Sequence, residues 1–316
     1  MKVTCYGSRG SIPSPSSEGF NFKTEKYGGD TTCYYLEAGP FRVILDAGSG
    51  VRTLGNHLMR DGKFGNFLML FTHYHWDHIQ GMPFCVPFFI GNNTFHIHGF
   101  EPDNTKNTSY IANVVLDCLS TQQEKPFFPV PHNSMPAKKH YVGHDQMMSE
   151  VFYYSEDYDY LPQEAVSHLE EKDLRDLLKV TTVPLNHPNG CIGYHIEYQG
   201  KSVSFCWDNE NFMHPNNKIK KICNSTDLLI LDGQYTKDQL VNMTQGFGHG
   251  GILNTVDEAV ACDAKKLVIT HHDPMHDDKT MDALYEQVKA KYLEVCREGK
   301  GPDTVEFAKQ ADSWEI

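Results

Sequence analysis

Phe67-Leu68-Met69-Leu70-Phe71-Thr72-His73-Tyr74-His75-Trp76-Asp77-His78 decides how this chain is read. The first five residues are an unbroken apolar run, which predicts a buried strand over 67–71. Three histidines and an aspartate then fall within six residues. They leave the carboxyl end of a strand together, on a loop, and so point into one volume. Neutral imidazoles and a carboxylate are the ligand set that suits zinc and similar divalent ions. The group is better shared between two ions than given to one. His73 and His75 can reach one metal while Asp77 and His78 turn towards a second.

Working outward, other polar residues share this placement immediately after an apolar run. His187 follows Thr181-Thr182-Val183-Pro184-Leu185-Asn186, and Asp208 follows Ser204-Phe205-Cys206-Trp207. Asp232 follows Leu228-Leu229-Ile230-Leu231, and His271 follows Leu267-Val268-Ile269-Thr270. Any one of them alone reads equally well as a capping carboxylate or a loop histidine bonded to backbone. Strand ends along one sheet edge, however, are where ligands from distant sequence converge.

The rest of the chain supplies the elements for such an edge. Strands are expected at 2–6, 33–37, 42–45, 95–98, 180–183, 192–198, 202–206, 227–231 and 267–270. The second and third form a hairpin through Ala38-Gly39-Pro40. Helices are expected at 51–59, 109–121, about 162–179, about 253–262 and about 279–296. Residues 124–146 are rich in proline and aromatics without clear periodicity and read as an insertion or lid within one domain spanning 1–316. Strands and helices alternate, with β-rich stretches at the ends of both halves. A two-sheet sandwich flanked by helices fits this better than a purely parallel sheet.

Composition narrows the function. Apolar residues are 40% and charged residues 22% of the 316, an ordinary globular balance. No window approaches a transmembrane length, and the first residues show no signal-peptide pattern. Nine cysteines without a CxxC pattern point to reduced thiols and a cytoplasmic location. A net charge of −13 disfavours stable polynucleotide binding, which depends on Lys and Arg neutralising phosphates. It leaves room for a small anionic substrate, because bound metals reverse the local sign. Pairing of sandwich edges into a homodimer stays open.

These residues together resemble the metallo-β-lactamase superfamily, and within it the branch of tRNase Z and related small phosphodiesterases. The resemblance is carried by Tyr6-Gly7-Ser8-Arg9-Gly10, Gly29-Asp30-Thr31-Thr32, Leu45-Asp46-Ala47-Gly48, the run His73 to His78, His187-Pro188-Asn189-Gly190, Trp207-Asp208-Asn209-Glu210, Gly248-His249-Gly250 and Thr270-His271-His272-Asp273-Pro274. It implies a four-layer αβ/βα sandwich of two mixed β-sheets with two divalent metal ions at its edge, zinc first, with manganese or iron as alternatives. His73, His75 and His187 would hold the first ion. Asp77, His78 and His271 would hold the second, and Asp208 would bridge them together with a hydroxide. The resemblance selects His271 over its neighbour His272.

It also implies a general acid, His249, oriented by Asp232, so that Asp77, Asp232 and His249 are the residues expected to act in catalysis. The family pattern carries Glu where this chain has Asp232, and Ser or Thr where it has Gly250. Asp46 is expected to orient a ligand histidine or cap its turn. The loop Gly7 to Gly10 lacks a Walker lysine and is read as a tight turn near the site mouth, and His96 and His98 as solvated or satisfied in the core. Phe127-Phe128-Pro129-Val130-Pro131 is either packing or a pocket wall.

The implied function is a di-metal phosphodiesterase acting on a small or cyclic nucleotide-type diester. The same metals could instead open a lactone, β-lactam or thioester. A tRNA 3′-processing endonuclease is disfavoured, because no basic Gly-rich arm is present. A non-enzymatic metal-binding or sensor protein is disfavoured by the completeness of the ligand set.

Overall fold

The strand that ends in the histidine loop is apolar on both faces, which dictates the architecture. In this computed structural model, which describes residues 1–101, 114–211, 215–296 and 301–316, Asn66–Leu70 forms β4. Leu68 and Leu70 point between two sheets, while Phe67 and Met69 face a helical layer on the other side. The same alternation recurs in Leu228–Asp232, where Leu228 and Ile230 face the other sheet and Leu229 and Leu231 face helices. A strand buried on both faces must lie inside a layered α/β arrangement.

The first sheet has seven strands. They are β1 (Lys2–Gly7), β2 (Cys33–Ala38), β3 (Phe41–Leu45), β4, β5 (Thr94–Glu101), β6 (Lys138–Asp145) and, from the far end of the chain, β15 (Ser313–Glu315). Their order is β15-β1-β2-β3-β4-β5-β6. Pairing is antiparallel up to β3 and parallel from β3 to β6. The second sheet has eight: β7 (Val151–Tyr154), β8 (Tyr160–Pro162), β9 (Leu178–Pro184), β10 (Ile192–Tyr198), β11 (Lys201–Cys206), β12 (Leu228–Asp232), β13 (Lys266–Thr270) and β14 (Thr304–Phe307). Their order is β14-β13-β12-β11-β10-β9-β7-β8, parallel from β14 to β11 and antiparallel beyond. The sandwich of two mixed sheets flanked by helices is thus as expected.

Eight α-helices occur among the described residues: α1 (Val51–Arg60), α2 (Trp76–Ile79), α3 (Val114–Thr121), α4 (Glu171–Leu174), α5 (Asn217–Ile222), α6 (Lys237–Asn242), α7 (Asn254–Ala261) and α8 (Asp278–Val295). α1 and α3 cover the outer face of the first sheet through Leu54, Leu58, Val115 and Leu119. α5, α7 and α8 cover the second through Ile219, Val256, Met281 and Val288. Each fully buried aliphatic side chain contributes about 1.5–3 kcal/mol. No helix among the described residues is long and apolar enough to cross a membrane.

Two expected elements differ. The helix expected at about 162–179 shrinks to the single turn α4 and a short 3-10 segment, Gln163–Val166. Its last residues instead enter β9, which pairs with β7 and β10, because Leu178 and Val180 are buried in the core between the two sheets. Tertiary burial overrides local helix propensity here. In the stretch 124–146, residues Lys138–Asp145 are an ordinary strand, β6, at the edge of the first sheet. Its sequence is charged and His-rich, so it carries no apolar alternation. The expected helix at 109–121 is seen from Val114, and 109–113 lie outside the described residues.

Candidate metal centre

Parallel pairing places the ends of β3, β4, β11, β12 and β13 along one edge. Leu45 pairs with Leu70, Cys206 with Leu231, and Asp232 with Thr270. Ligands in open α/β sheets bind at such carboxyl ends. At three of these ends the chain turns sharply off the strand through a residue in the left-handed region: Asp46 (φ 56°), Asp208 (φ 57°) and His271 (φ 58°). Asp and His are among the non-glycine residues that tolerate this conformation. The turn swings each side chain off the strand and into the site.

The predicted residues converge. His73, His75 and His187 place one ligand atom each within 4.8 Å of one another. So do Asp77, His78 and His271, and likewise His73, His78 and Asp208. His187 and Asp208 make a further such group with His249, which also groups with Asp232 and His271. His272 joins none of these groups. Its ring is buried on the other side of the backbone, with Nε2 2.9 Å from the Ala308 carbonyl.

Hydrogen bonds fix which ring nitrogens face inward. His187 Nδ1 donates to the Gly248 carbonyl (2.8 Å), His78 Nδ1 to Asp46 Oδ2 (2.7 Å) and His271 Nδ1 to Gln234 Oε1 (2.8 Å). Each acceptor claims the Nδ1 proton and leaves an Nε2 lone pair in the site. The His78 and His271 Nε2 atoms lie 3.2 Å apart, and are 3.2 and 3.3 Å from Asp77 Oδ2. His78 Nε2 is 3.3 Å from Asp208 Oδ2, and His271 Nε2 is 3.4 Å from Asp208 Oδ1. His75 Nδ1 and His187 Nε2 are 3.0 Å apart.

Lone pairs and carboxylate oxygens packed this closely require positive charge among them. The buried His73 Nε2 and Asp208 Oδ2 have no hydrogen-bond partner among the described residues. The donor set and these two orphaned atoms fit divalent cations.

The electrostatics show the same demand for positive charge: the carboxylates draw a second proton onto His78 and His271, which a bound cation would displace from Nε2. Burial would lower the His271 imidazole, yet Asp208 and Asp77 push it up to about 9. Burial also opposes a charged His78, but Asp208, Asp77 and Asp46 raise it well above the usual range. Burial would raise the Asp208 carboxyl, which His271 and His78 instead hold well below the carboxylate range. His73 and His187, dominated by burial, are pushed down and stay neutral.

Other residues set this geometry, and sequence reasoning missed several of them. Asp46 accepts from Thr72 N, Thr72 Oγ1 and the Trp207 indole, each at 2.8 Å, besides His78. Only its role in orienting a histidine was legible. Gln234 and the Gly248 carbonyl carried no signal: nothing near Gln234 marks its side-chain amide as a partner of His271, and any residue type can present a backbone acceptor. Ser11 N donates to Asp77 Oδ2 at 2.7 Å, which puts the Gly7–Gly10 turn against the site as expected. Gly10 is required there, because a Cβ would stand 2.3 Å from the His271 ring. Arg9 is fully buried and ties the backbone of Gly28, Asp273 and His276 together.

His249 lies beside the cluster. Its Nδ1 is 3.0 Å from Asp232 Oδ2 and 3.6 Å from Asp208 Oδ1, and its ring stacks on His271 at 4.9 Å. Trp76 is 71% exposed at the mouth. His98 is satisfied in the core, and His96 is half-buried against His140. Phe127 is exposed, and Phe128 packs edge-on against Phe84.

The architecture can be compared as a whole. A metallo-β-lactamase fold protein, YhfI of Bacillus subtilis, superposes with a TM-score of 0.62 at 17% identity, covering 100% of this chain and 99% of its own. This chain has the metallo-β-lactamase fold. Two more structures with the fold are similar over the full length. Human tRNase Z, short form, has a TM-score of 0.59 at 17% identity over 100% of this chain and 99% of its own. A diphosphatase from the PhnP family has a TM-score of 0.59 at 16% identity over 100% of this chain and 97% of its own. No protein-family model and no curated protein matches the sequence.

Proposed function

We propose that this chain is a two-metal phosphodiesterase acting on a small or cyclic nucleotide-type diester. The observation that carries the reading is the His249–Asp232 pair beside Asp208. Asp232 accepts the Nδ1 proton of His249, so Nε2 is the atom free to deliver a proton to a departing alkoxide. Asp232 is itself held by Gln234 N at 2.9 Å. Opening a lactone or thioester makes weaker demands on a dedicated donor at this position.

His73, His75 and His187 would hold one ion, Asp77, His78 and His271 the other, and Asp208 would bridge. Two such ions would supply a nucleophilic water at neutral pH and neutralise charge on a phosphoryl group. Zinc is the first choice for this donor set, and manganese and iron also suit it. A net charge of −13 favours a small anionic substrate over a polynucleotide. Likeness to a PhnP-family diphosphatase supports the same class.

The test is hydrolysis of bis-p-nitrophenyl phosphate by metal-stripped protein reloaded with zinc or manganese, beside His249→Ala. Metal-dependent turnover is expected, and His249→Ala should collapse turnover of a diester with an alkoxide leaving group far more than that of bis-p-nitrophenyl phosphate, whose nitrophenolate leaves unprotonated. Absence of turnover with metals shown to be bound would refute the reading.

A further inference from the structure

A cleft of about 730 Å³ opens beside the metal centre, with His187 in its lining. That is within the usual range for a small-molecule site. Its walls carry the side chains of Gln146, Asn189, Asn217 and Lys218, with Met147 as an apolar flank. No carboxylate lines it among the described residues, although acidic residues outnumber basic ones in the chain by 41 to 28. Asn189 and Asn217 make no side-chain hydrogen bond, and the Lys218 ammonium no ion pair, among the described residues. Asn216, by contrast, is occupied in capping α5.

Gln146 supplies a second observation. Its Oε1 is buried and accepts no hydrogen bond. It lies directly on the backbone of Gly190, where a Cβ would stand 1.8 Å away. A buried acceptor without a donor costs about 1–3 kcal/mol, and this oxygen, closed off against Gly190, meets a ligand donor once the Gln146 side chain, which lines the cleft, rotates towards it.

The loop that presents it is fastened at both ends. Glu150 Oε1 accepts from Asp145 N (3.0 Å) and Oε2 from His144 Nδ1 (2.8 Å). His144 Nε2 then accepts from His98 Nδ1 (2.7 Å), and His98 Nε2 from Tyr154 Oη (2.7 Å). Every ring nitrogen in this chain of donors has a partner. It holds the 145–150 loop in place before any ligand arrives.

We propose that this cleft is the base subsite, and that it takes a nucleobase bearing an exocyclic amine. The proposal rests on the phosphodiesterase reading for its substrate class. The amine would donate to Gln146 Oε1, the Asn189 amide would meet a second edge atom of the base, and the phosphate would lie towards His187. Side-chain amides match the paired donor and acceptor of an adenine edge.

The test is calorimetric titration of the zinc-loaded protein with adenosine and cytidine 5′-monophosphates and with ribose 5-phosphate, which has no base. We expect at least one nucleotide to bind more tightly than ribose 5-phosphate. Gln146→Ala should then weaken it about tenfold, the scale of one buried hydrogen bond, and leave ribose 5-phosphate unmoved. Asn189→Gly is the second variant. Asn189 has φ 66°, so glycine removes the amide without backbone strain. It decides the matter if Gln146→Ala lowers the melting temperature.

Nucleotide affinity no better than that of ribose 5-phosphate, or unchanged in folded variants, would overturn the subsite. Wild-type turnover of bis-p-nitrophenyl phosphate reads the underlying reaction separately. Turnover without base-dependent binding removes the subsite alone. Base-dependent binding without any turnover removes the phosphodiesterase reading and leaves the subsite standing.

Discussion

The Asp46 carboxylate accepts the Nδ1 proton of His78 at 2.7 Å while also accepting the Trp207 indole proton at 2.8 Å. Trp207 directly precedes Asp208, so one buried carboxylate sets the ring of one candidate ligand and the approach of another. Partners of this kind typically govern metal affinity by about 10–100-fold. Asp46→Asn presents an amide N–H to donors that need an acceptor. It should weaken zinc affinity by about that factor, read by titration against a competing chelator. Wild-type affinity in the folded variant would show that Asp46 only supports the turn.

His249 and Asp232 should behave differently, because on the proposed reading they move a proton and do not hold metal. His249→Ala should lower kcat for a phosphodiester about 10²–10⁴-fold with metal content unchanged. Asp232→Asn keeps the ring in place but loses the charge opposite it, and should fall between the two. A variant that loses metal in parallel with activity would make His249 a ligand.

Much of this centre was legible because chemistry and fold coincide in the sequence. His73 to His78 follow an apolar run directly, and His187, Asp208, Asp232 and His271 stand just beyond later ones. A strand end is visible as a change from apolar to polar residues. What was hidden depends on contacts across the sandwich. Trp207 reaches Asp46 from the opposite sheet, and Gln234 reaches His271 from a neighbouring strand end. Nothing in either local sequence marks them. β6 was hidden for another reason: an edge strand of Lys, His and Gly has no apolar period. The charged pattern around 171–174 looked helical until burial of Leu178 and Val180 claimed the residues that follow.

Gly248 offers a controlled test of the first metal group. A Cβ there would stand 2.1 Å from His187 Nδ1, the atom that donates to the Gly248 carbonyl. Gly246 has nearly the same φ, 86° against 88°, but nothing within 4 Å of its Cβ position. Both alanine variants share a left-handed backbone cost of roughly 1–2 kcal/mol. Only Gly248→Ala should also displace His187 and lower metal stoichiometry, measured by elemental analysis. Equal metal content in the two variants would contradict this account of how His187 is held.

Glu258 predicts a pH dependence away from the metals. It is fully buried on α7, accepts from Asn216 N at 2.9 Å, and burial pushes its carboxyl up to about 7. A carboxyl raised in the folded state holds its proton more tightly there than in the unfolded chain. Its contribution is therefore fully present below the unfolded value of 4.5 and is lost as pH rises towards 7. The difference is worth at most about 3 kcal/mol. Glu258→Gln keeps an acceptor for Asn216 and cannot ionise. At fixed metal loading, urea unfolding from pH 4.5 to 8 should show the wild type losing stability relative to Glu258→Gln, mostly between pH 5 and 7. Parallel profiles would mean that the two donors to Glu258, Asn216 N and the Asn211 amide, stabilise its charge as well as water does.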